Sequence, residues 1–199
     1  MSADGRIRNV GVFCGSRAGA KPAYVQSATA LGAALAERGA GLVYGAGGVG
    51  VMGAVAAAAL DGGAPVVGVI PHELYEREKP NPTRGEIYIA RTMHERKALM
   101  YRLSDGFAVL PGGFGTLDEV MEVATWNQLG FHSKPVILIN SHRYFDPLVD
   151  LLDHMVSEGF VSPEDRSLVQ VAENERDALD RLGHPAPAPH REALSSPTS

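Results

Sequence analysis

The sequence predicts an α/β protein whose sheet is Rossmann-like, doubly wound and mostly parallel, with helices on both faces. Short runs of β-branched residues alternate with helical patterns along most of the 199-residue chain, and this alternation requires parallel strands joined by right-handed crossovers. The run PVVGVI (65–70) lacks polar alternation, as expected of a strand covered on both faces. Glycine-rich loops follow three of the predicted strands. Since parallel strands end at the same edge, these loops should gather where ligands bind in such sheets.

The predicted elements follow one another with recognisable boundaries. The first helix has Pro22 in its first turn and Gly39 just after its end, as is typical of helix termini. Residues 71–86 form a charged, proline-bearing stretch that is predicted to be a long loop, and loops of this length are often functional. Strands are predicted at 7–13, 41–45, 65–70, 87–90, 106–110 and 135–140, and helices at 22–38, 51–63, 93–104 and 116–128, with the alternation continuing through 144–159 and 167–182.

Length and composition favour one soluble domain. A chain of 199 residues with a hydrophobic fraction of 45% can bury a full core without disulfide bonds. Residues 184–199 lack periodicity and are rich in Pro, Ser and Ala. We therefore predict a disordered tail at 184–199, after a single domain that spans residues 1–183.

Charge and cysteine usage exclude several classes of protein. A formal net charge of -5 argues against a nucleic-acid or anionic-membrane binder, which would carry a basic face. A bound phosphate would therefore be held by local groups. The single cysteine suits a reducing compartment. The polar start MSADGRIRN has no signal-peptide core, and the apolar stretches are too short and glycine-broken to span a bilayer. We expect a cytoplasmic protein.

The loop GAGGVG (45–50) resembles a dinucleotide-binding fingerprint but fails in two respects. It fits G-x-G-x-x-G between a strand and a helix. However, it follows the second strand instead of the first, and the acidic residue expected about 20 residues further on is represented only by Glu73, a poor candidate. We therefore do not predict NAD binding. A nucleotide-facing loop and tight strand–helix packing are both favoured over it.

The loop CGSRAGAK (14–21) matches neither the P-loop spacing nor the G-x-S-x-G nucleophile elbow. Cys14 is interpreted as a small buried side chain at a strand end, with a nucleophile as the less favoured alternative. Ser16, together with Gly15 and Gly19, could donate hydrogen bonds to a phosphate or ribose at a helix start.

The histidines do not form a metal-binding pattern. No H-E-x-x-H motif occurs, and His132, His142 and His154 are not spaced as ligands on one face. We predict no catalytic metal.

The stretch MHERK (93–97) places two adjacent cations, Arg96 and Lys97, near the start of a helix, where the helix dipole disfavours positive charge. Two interpretations remain open. The stretch is either a solvated face or a clamp for a phosphate or carboxylate, in which Arg96 supplies a bidentate fork.

The stretch LPGGFGTLDE (110–119) places three glycines between an apolar strand and an amphipathic helix. A helix-start acid that complements the dipole explains Asp118, but a plain strand-to-helix turn needs one glycine. A cradle of bare backbone amides for a phosphate explains the others, with Thr116 as both helix cap and ligand. The i, i+3, i+4, i+7 stripe of Leu117, Val120, Met121 and Ala124 is predicted to face the core. Glu119 and Glu122 then lie on another face.

These motifs resemble the signature of a known family. PGGFGTLDE resembles the P-G-G-x-G-T-x-x-E signature of the Lonely Guy (LOG) family of cytokinin riboside 5′-monophosphate phosphoribohydrolases, whose members were often mislabelled as lysine decarboxylases. MHERK supplies the M-x-x-R-K element that precedes that signature. The resemblance extends over residues 8–182 and includes VFCGS, YGAGGVGVMG and YFDPLVDLLDHMVSEGF.

The resemblance implies a reaction and an assembly. The reaction is hydrolysis of the N-glycosidic bond of an N6-modified adenosine 5′-monophosphate, which gives free base and ribose 5-phosphate without a cofactor. The assembly is a homodimer with its sites near the subunit interface. Two alternatives stay open: a nucleosidase that acts mainly on AMP, and a non-catalytic nucleotide carrier of the same fold. The intact Arg96–Glu119 pair disfavours the carrier.

The resemblance also assigns roles to residues. Arg96 and Glu119 are implied to be catalytic, with the carboxylate stabilising a sugar cation and orienting water. Whether Arg96 holds the phosphate or assists the departing purine is left open. Glu78 matches a ligand-contacting glutamate by its spacing from Arg96. Nucleotide contacts carry over to Lys97, Gly112, Gly113, Phe114, Gly115, Thr116, Leu117, Asp118 and Thr125.

The chain departs from the family pattern at three positions, which bear on base preference more than on the reaction. Phe114 stands where the family commonly has tyrosine, so that any hydroxyl contact is lost. Asp118 replaces a common glutamate, and Arg17 stands where a serine is frequent.

Overall fold

The computed structural model of the chain describes residues 7–78 and 85–184, with the backbone only at 76–78, and contains a seven-stranded parallel sheet. The strands are β1 (Asn9–Phe13), β2 (Gly41–Tyr44), β3 (Val66–Pro71), β4 (Glu86–Ala90), β5 (Gly106–Val109), β6 (Val136–Ile139) and β7 (Val169–Ala172). The helices are α1 (Pro22–Glu37), α2 (Gly50–Asp61), α3 (His72–Glu78), α4 (Met93–Leu103), α5 (Phe114–Gln128), α6 (Asp146–Ser157), α7 (Pro163–Arg166) and α8 (Glu175–Leu182).

The strand order is β4-β3-β2-β1-β5-β6-β7, and each neighbouring pair is parallel. The chain builds outward from β1 to β4 and then returns to the other side of β1 with β5. The order therefore reverses between β1 and β5, which makes the crevice at their carboxyl ends the expected ligand site of a doubly wound sheet. The predicted fold class is confirmed.

Two hydrophobic cores lie on opposite faces of the sheet. Leu42 and Tyr44 of β2 point into the core shared with α1, α2 and α8, whereas Val43 between them points into the core shared with α4, α5 and α6. This alternation follows from the period of two along a strand. All four residues of β2 are buried, which explains why the central strands are continuous apolar runs.

Three segments differ from the predicted elements. The predicted loop at 71–86 begins with the helix α3; the following prolines at 80 and 82 suggested a loop, but HELYERE itself contains good helix formers. The helix after the PGG stretch begins at Phe114, two residues before the predicted start. The short α7 was not predicted, although Ser162 caps it through the Asp165 N–H at 3.0 Å and Pro163 occupies its first turn.

Other predictions lie outside the described part of the chain. The disordered tail at 184–199 stays a prediction, because residues from 185 onward are not described. The single domain at 1–183 also stays a prediction. No helix among the described residues has the length and apolarity to cross a membrane.

Candidate functional site

The loops after β1 and β5 meet at the point where the strand order reverses. The Gly15 N–H donates to the Pro111 carbonyl at 3.0 Å. A Cβ on Gly15 would lie 3.2 Å from the Gly112 Cα, so the two loops are in direct backbone contact. The predicted gathering of glycine-rich loops at this edge is therefore present, and it forms the floor of the candidate site.

The start of α5 presents backbone N–H groups that have no hydrogen-bond acceptor among the described residues. Gly113 is the residue before the helix and caps it with no side chain. No described residue accepts a hydrogen bond from the backbone N–H of Gly113, Gly115 or Thr116, and the first bond in this turn joins Leu117 N–H to the Gly113 carbonyl at 3.2 Å. A Cβ on Gly113 or Gly115 would meet nothing within 4 Å. This turn can therefore receive an anion along the helix dipole.

Thr116 supports this loop from below and is not the helix cap that the sequence suggested. It is the third residue of α5 and is only 3% exposed. A Cβ on Gly112 would lie 2.0 Å from the Thr116 Oγ1 and 2.7 Å from the Gly15 backbone nitrogen. Because neither neighbour can withdraw freely, Gly112 must be glycine. The helix begins earlier than predicted because the bare backbone of Gly113 can serve as the residue before it.

Arg96 is held at the carboxyl edge of the sheet by the start of α4. Thr92 Oγ1 accepts from the Glu95 N–H at 3.1 Å, and Glu95 Oε2 accepts from the Arg91 N–H at 2.7 Å, which together fix the first turn of the helix. The Arg96 Nε then donates to the Val69 carbonyl of β3 at 3.1 Å. The guanidinium is thereby oriented over the ends of the central strands.

The loop GAGGVG serves packing. A Cβ on Gly45 would lie 2.0 Å from the Arg96 Nη2, so this glycine makes room for the guanidinium. Gly50 has φ of 65°, and a Cβ there would lie 2.4 Å from the Ser16 carbonyl oxygen. The Met52 N–H at the start of α2 donates to the Gly15 carbonyl at 3.0 Å. Because an amide at this helix start is hydrogen-bonded to the neighbouring loop, the structure favours the interpretation of tight packing over that of a nucleotide-facing loop.

Glu119 lies on the buried face of α5, together with Val120 of the predicted apolar stripe, so the prediction that Glu119 lies on another face is wrong. Its buried residues are Thr116, Glu119, Val120, Val123 and Asn127. Leu117, Met121 and Ala124, which were predicted to face the core, are only half-buried. The Glu119 Oε1 lies 3.4 Å from the Arg96 Nη1, with the side chains 8% and 12% exposed. The structure therefore brings together the two residues with implied catalytic roles.

The environment of Glu119 favours its protonated form unusually strongly. Burial raises the pKa of Glu119 to about 7, and the neighbouring charge of Arg96 limits this rise. Asp118 and Glu122 raise the pKa further, while Lys97 lowers it. A carboxyl group that changes charge near neutral pH can act as an acid, a base or an electrostatic stabiliser.

Lys97 also points inward, so the two cations of MHERK do not form a solvated face, although Met93, His94 and Glu95 are exposed. Its side chain is 9% exposed, and its Nζ lies 3.0 Å from Asp118 Oδ2 and 2.9 Å from Glu122 Oε2. Burial lowers the pKa of Lys97, but hydrogen bonds to Glu122 and Asp118 outweigh this and raise it overall. Tyr101 joins the cluster by donating to Glu122 Oε2 at 3.1 Å. The cluster links α4 to α5, and direct contact of Lys97 with a nucleotide stays a prediction.

The remaining predicted contact residues differ in their exposure where the structure describes them. Ser16 is half-buried in the loop after β1, and Phe114 is 94% exposed at the start of α5. Thr125 Oγ1 donates to the Met121 carbonyl at 2.8 Å. The side chain of Glu78 lies outside the described residues. A shallow cavity of about 310 Å³ is lined by Lys97, Asp118, Met121, Glu122, Thr125 and Trp126.

Cys14 is a buried thiol, as the favoured interpretation predicted. It is 4% exposed. Burial first, and then the charge of Glu119, raise the pKa of Cys14 far above its ordinary value. Both the burial and the raised pKa favour the interpretation of a small buried side chain over that of a thiolate nucleophile. Among the described residues, no group of three or more His, Cys, Asp or Glu side chains could hold a metal ion.

Two contributors to the site were not predicted from the sequence. Gly45 was considered only as one residue of the GAGGVG loop, without Arg96 as its neighbour, and Tyr144, whose hydroxyl donates to the Gly112 carbonyl, was considered only as part of a helical run. Neither could be found from local spacing, because their partners are distant in the sequence.

Known proteins resemble the chain over most of its length. Residues 52–182 match the profile of a family described as possible lysine decarboxylase. A probable cytokinin riboside 5′-monophosphate phosphoribohydrolase of Oryza sativa subsp. japonica is 49% identical over 93% of this chain and 75% of its own length. A cytokinin riboside 5′-monophosphate phosphoribohydrolase of Arabidopsis thaliana is 47% identical over 89% of this chain and 82% of its own length.

The chain belongs to the LOG family. Solved structures with the same fold as this LOG family member include the Moco carrier protein from Chlamydomonas reinhardtii, with a TM-score of 0.66, 20% identity and coverage of 89% of this chain and 96% of that chain. The molybdenum cofactor binding protein from Rippkaea orientalis gives a TM-score of 0.66 at 22% identity, with coverage of 88% and 94%. At these identities the likeness concerns the fold alone.

Proposed function

We propose that this LOG family member hydrolyses the N-glycosidic bond of cytokinin riboside 5′-monophosphates, giving free base and ribose 5-phosphate. The observation that carries the proposal is the buried Arg96–Glu119 pair, 3.4 Å apart, beside the open amides at the start of α5. An anion site next to a carboxyl group that titrates near neutrality suits a phosphorylated substrate attacked at its sugar. Relatives that are 47% and 49% identical carry this activity in their names.

In the proposed mechanism, the turn from Gly112 to Thr116 binds the 5′-phosphate through backbone N–H groups. The binding energy of the phosphate then positions the ribose, where the bond is broken. Phe114, Leu117 and Asp118 line the same turn as predicted contacts. The amides of Gly115 and Thr116 are already fixed by the first turn of α5, so little reorganisation of them accompanies binding.

Glu119 is proposed to act on the sugar. As the C–N bond to the purine breaks, positive charge builds on the ribose ring, and the ionised carboxylate stabilises it. Glu119 then accepts a proton from the water that adds to the anomeric carbon, while the departing purine takes up a proton on nitrogen. Arg96 is proposed to keep a fraction of Glu119 ionised despite its burial. This proposed role of Arg96 is based on its contact with Glu119. Phosphate binding is then assigned to the backbone amides alone.

The homodimer implied by the family resemblance and the cytoplasmic location expected from the sequence composition are part of this proposal. Phe114, at 94% exposure beside the site, would be covered if a second subunit completed the edge of the site. Light scattering of the purified protein tests the assembly, with twice the chain mass of 21.1 kDa as the expected result.

The substrate is tested by incubating purified protein with isopentenyladenosine 5′-monophosphate and with AMP, and measuring ribose 5-phosphate. We expect faster release from the modified nucleotide. Equal release from both would indicate a general nucleosidase. Release from neither, with nucleotide binding intact by calorimetry, would indicate a carrier and overturn the proposed activity.

The proposed role of Glu119 predicts the pH dependence of the reaction. Because burial raises the pKa of Glu119 to about 7 and the ionised form is required, kcat/KM should fall roughly tenfold per pH unit below pH 7 and level off above it. The substrate phosphate also titrates, near pH 6. Measuring nucleotide binding to the Glu119→Gln variant over the same range isolates that contribution. A kcat/KM that stays flat down to pH 5 would contradict the role of Glu119.

A further inference from the structure

The Tyr144 hydroxyl donates a hydrogen bond to the Gly112 carbonyl. Tyr144 lies in the loop after β6, the strand that neighbours β5. Gly112 is the residue whose peptide bond leads into the open amides at the start of α5. We propose that Tyr144 is a positioning residue that fixes this peptide plane for recognition of the substrate phosphate. The inference rests on the proposed function for the identity of the ligand, but the contact itself does not depend on it.

The loop that carries Tyr144 is tied to its surroundings by hydrogen bonds and by a buried side chain. It follows β6, and Asn140 organises it: its Oδ1 accepts from the Phe145 N–H at 2.8 Å, and its Nδ2 donates to Asp146 Oδ1 at 2.8 Å. The Arg143 N–H donates to the Asn140 carbonyl at 3.0 Å. Phe145 is 1% exposed and anchors the loop in the core. Tyr144 is therefore presented from a fixed backbone.

The ring of Tyr144 is held by aromatic neighbours. Its centroid lies 5.6 Å from that of Tyr24 and 5.0 Å from that of Phe145, both in edge-to-face geometry. Such contacts stabilise a ring without involving its hydroxyl. The Tyr24 hydroxyl makes no hydrogen bond to a described residue. The two tyrosines thus share a packing role, and only Tyr144 adds a polar contact to the loop.

The hydrogen bond to Gly112 determines the direction of the next amide. The peptide bond between Gly112 and Gly113 is trans and planar, so its C=O and N–H point in opposite directions. Glycine at both positions would otherwise leave this plane free to rotate. Because Tyr144 holds the carbonyl on one side, the Gly113 N–H is held on the opposite side. Thr116 and Gly15 limit movement of Gly112 from below.

The proposal predicts a selective effect of Tyr144→Phe, which removes the hydroxyl and keeps the ring. A typical net hydrogen bond corresponds to about a 2- to 12-fold change in an equilibrium constant. We therefore expect KM for the nucleoside 5′-monophosphate to rise by about this factor, with kcat within about twofold of the wild type. Binding of the nucleoside that lacks the phosphate should be unchanged. Tyr24→Phe is the matched control and should alter neither quantity.

Binding of inorganic phosphate tests the contact without any nucleotide. In the Tyr144→Phe protein, the Kd for inorganic phosphate, measured by calorimetry, should be about 2- to 12-fold higher than in the wild type and in Tyr24→Phe. An unchanged Kd for phosphate together with an unchanged KM would overturn the proposal, and so would a loss of affinity shared equally by nucleotide and nucleoside. If the wild type hydrolyses no nucleotide while the phosphate affinities still differ, the proposed function fails but the positioning role stands.

Discussion

Glu119→Gln is expected to lower turnover of the nucleotide by roughly 10²- to 10⁴-fold, while the affinity for nucleotide stays within a few-fold of the wild type. Glutamine has the shape of the buried side chain and can still accept a hydrogen bond from Arg96. It cannot carry negative charge or accept a proton from water. The amides proposed to bind the phosphate are untouched. Turnover is measured by release of ribose 5-phosphate, and affinity by calorimetry.

A stability measurement on the same variant tests the raised pKa of Glu119 independently of turnover. The folded-state pKa of about 7 lies above the ordinary value of 4.5, so the folded protein binds more protons between these values. Its stability therefore falls as pH rises from 4.5 to 7, by about 3 kcal/mol in total. Glu119→Gln should match the wild type near pH 4.5 and have a higher Tm at pH 8. Unchanged turnover in this variant would remove Glu119 from the mechanism.

Gly45→Ala is expected to reduce turnover by roughly 10- to 100-fold through Arg96, because displacement of a catalytic group by about 1 Å can have an effect of this size. The added methyl would lie 2.0 Å from the Arg96 Nη2 and 3.2 Å from its Cζ. The end of a flexible side chain can move away, so the fold should persist. The guanidinium would then lose its contact with Glu119. Steady-state kinetics measures the loss of turnover, and a thermal melt tests whether the fold persists.

A double-mutant cycle provides the control for Gly45. If the methyl acts through the guanidinium, then Gly45→Ala should change turnover less than about twofold in an Arg96→Ala background. Fully additive losses would show that Gly45 acts by another route, such as the contact with Met52, and would contradict the packing role assigned to this glycine.

The fold could be predicted from local patterns because its central strands are buried on both faces. Runs such as PVVGVI and GFAVL contain no polar alternation, and strand and helix patterns alternate along most of the chain, so the parallel sheet follows from the order of elements. The three glycine-rich loops were located for the same reason, since every parallel strand ends at one edge. Their convergence between β1 and β5 then follows from topology.

The orientation of side chains in the site could not be predicted in this way. The apolar stripe that includes Leu117 and Met121 suggested that Glu119 faces away from the core, yet Glu119 is 6% exposed. Helical periodicity assumes that polar residues avoid the interior, and a buried carboxylate with a cationic partner breaks that assumption. Its partner, Arg96, comes from another helix. The roles of Gly45 and Tyr144 likewise depend on contacts between distant segments.

The proposed recognition of an anion by backbone dipoles has a consequence for the dependence of substrate binding on ionic strength. The amides at the start of α5 are neutral, and the nearby cations Arg96 and Lys97 are already matched by carboxylates. The chain as a whole carries a formal charge of -5, so it repels a doubly charged nucleotide at long range. Added salt screens that repulsion over a Debye length of about 8–10 Å. Capture of the substrate should therefore tolerate salt, unlike capture by an enzyme that attracts its substrate with lysines.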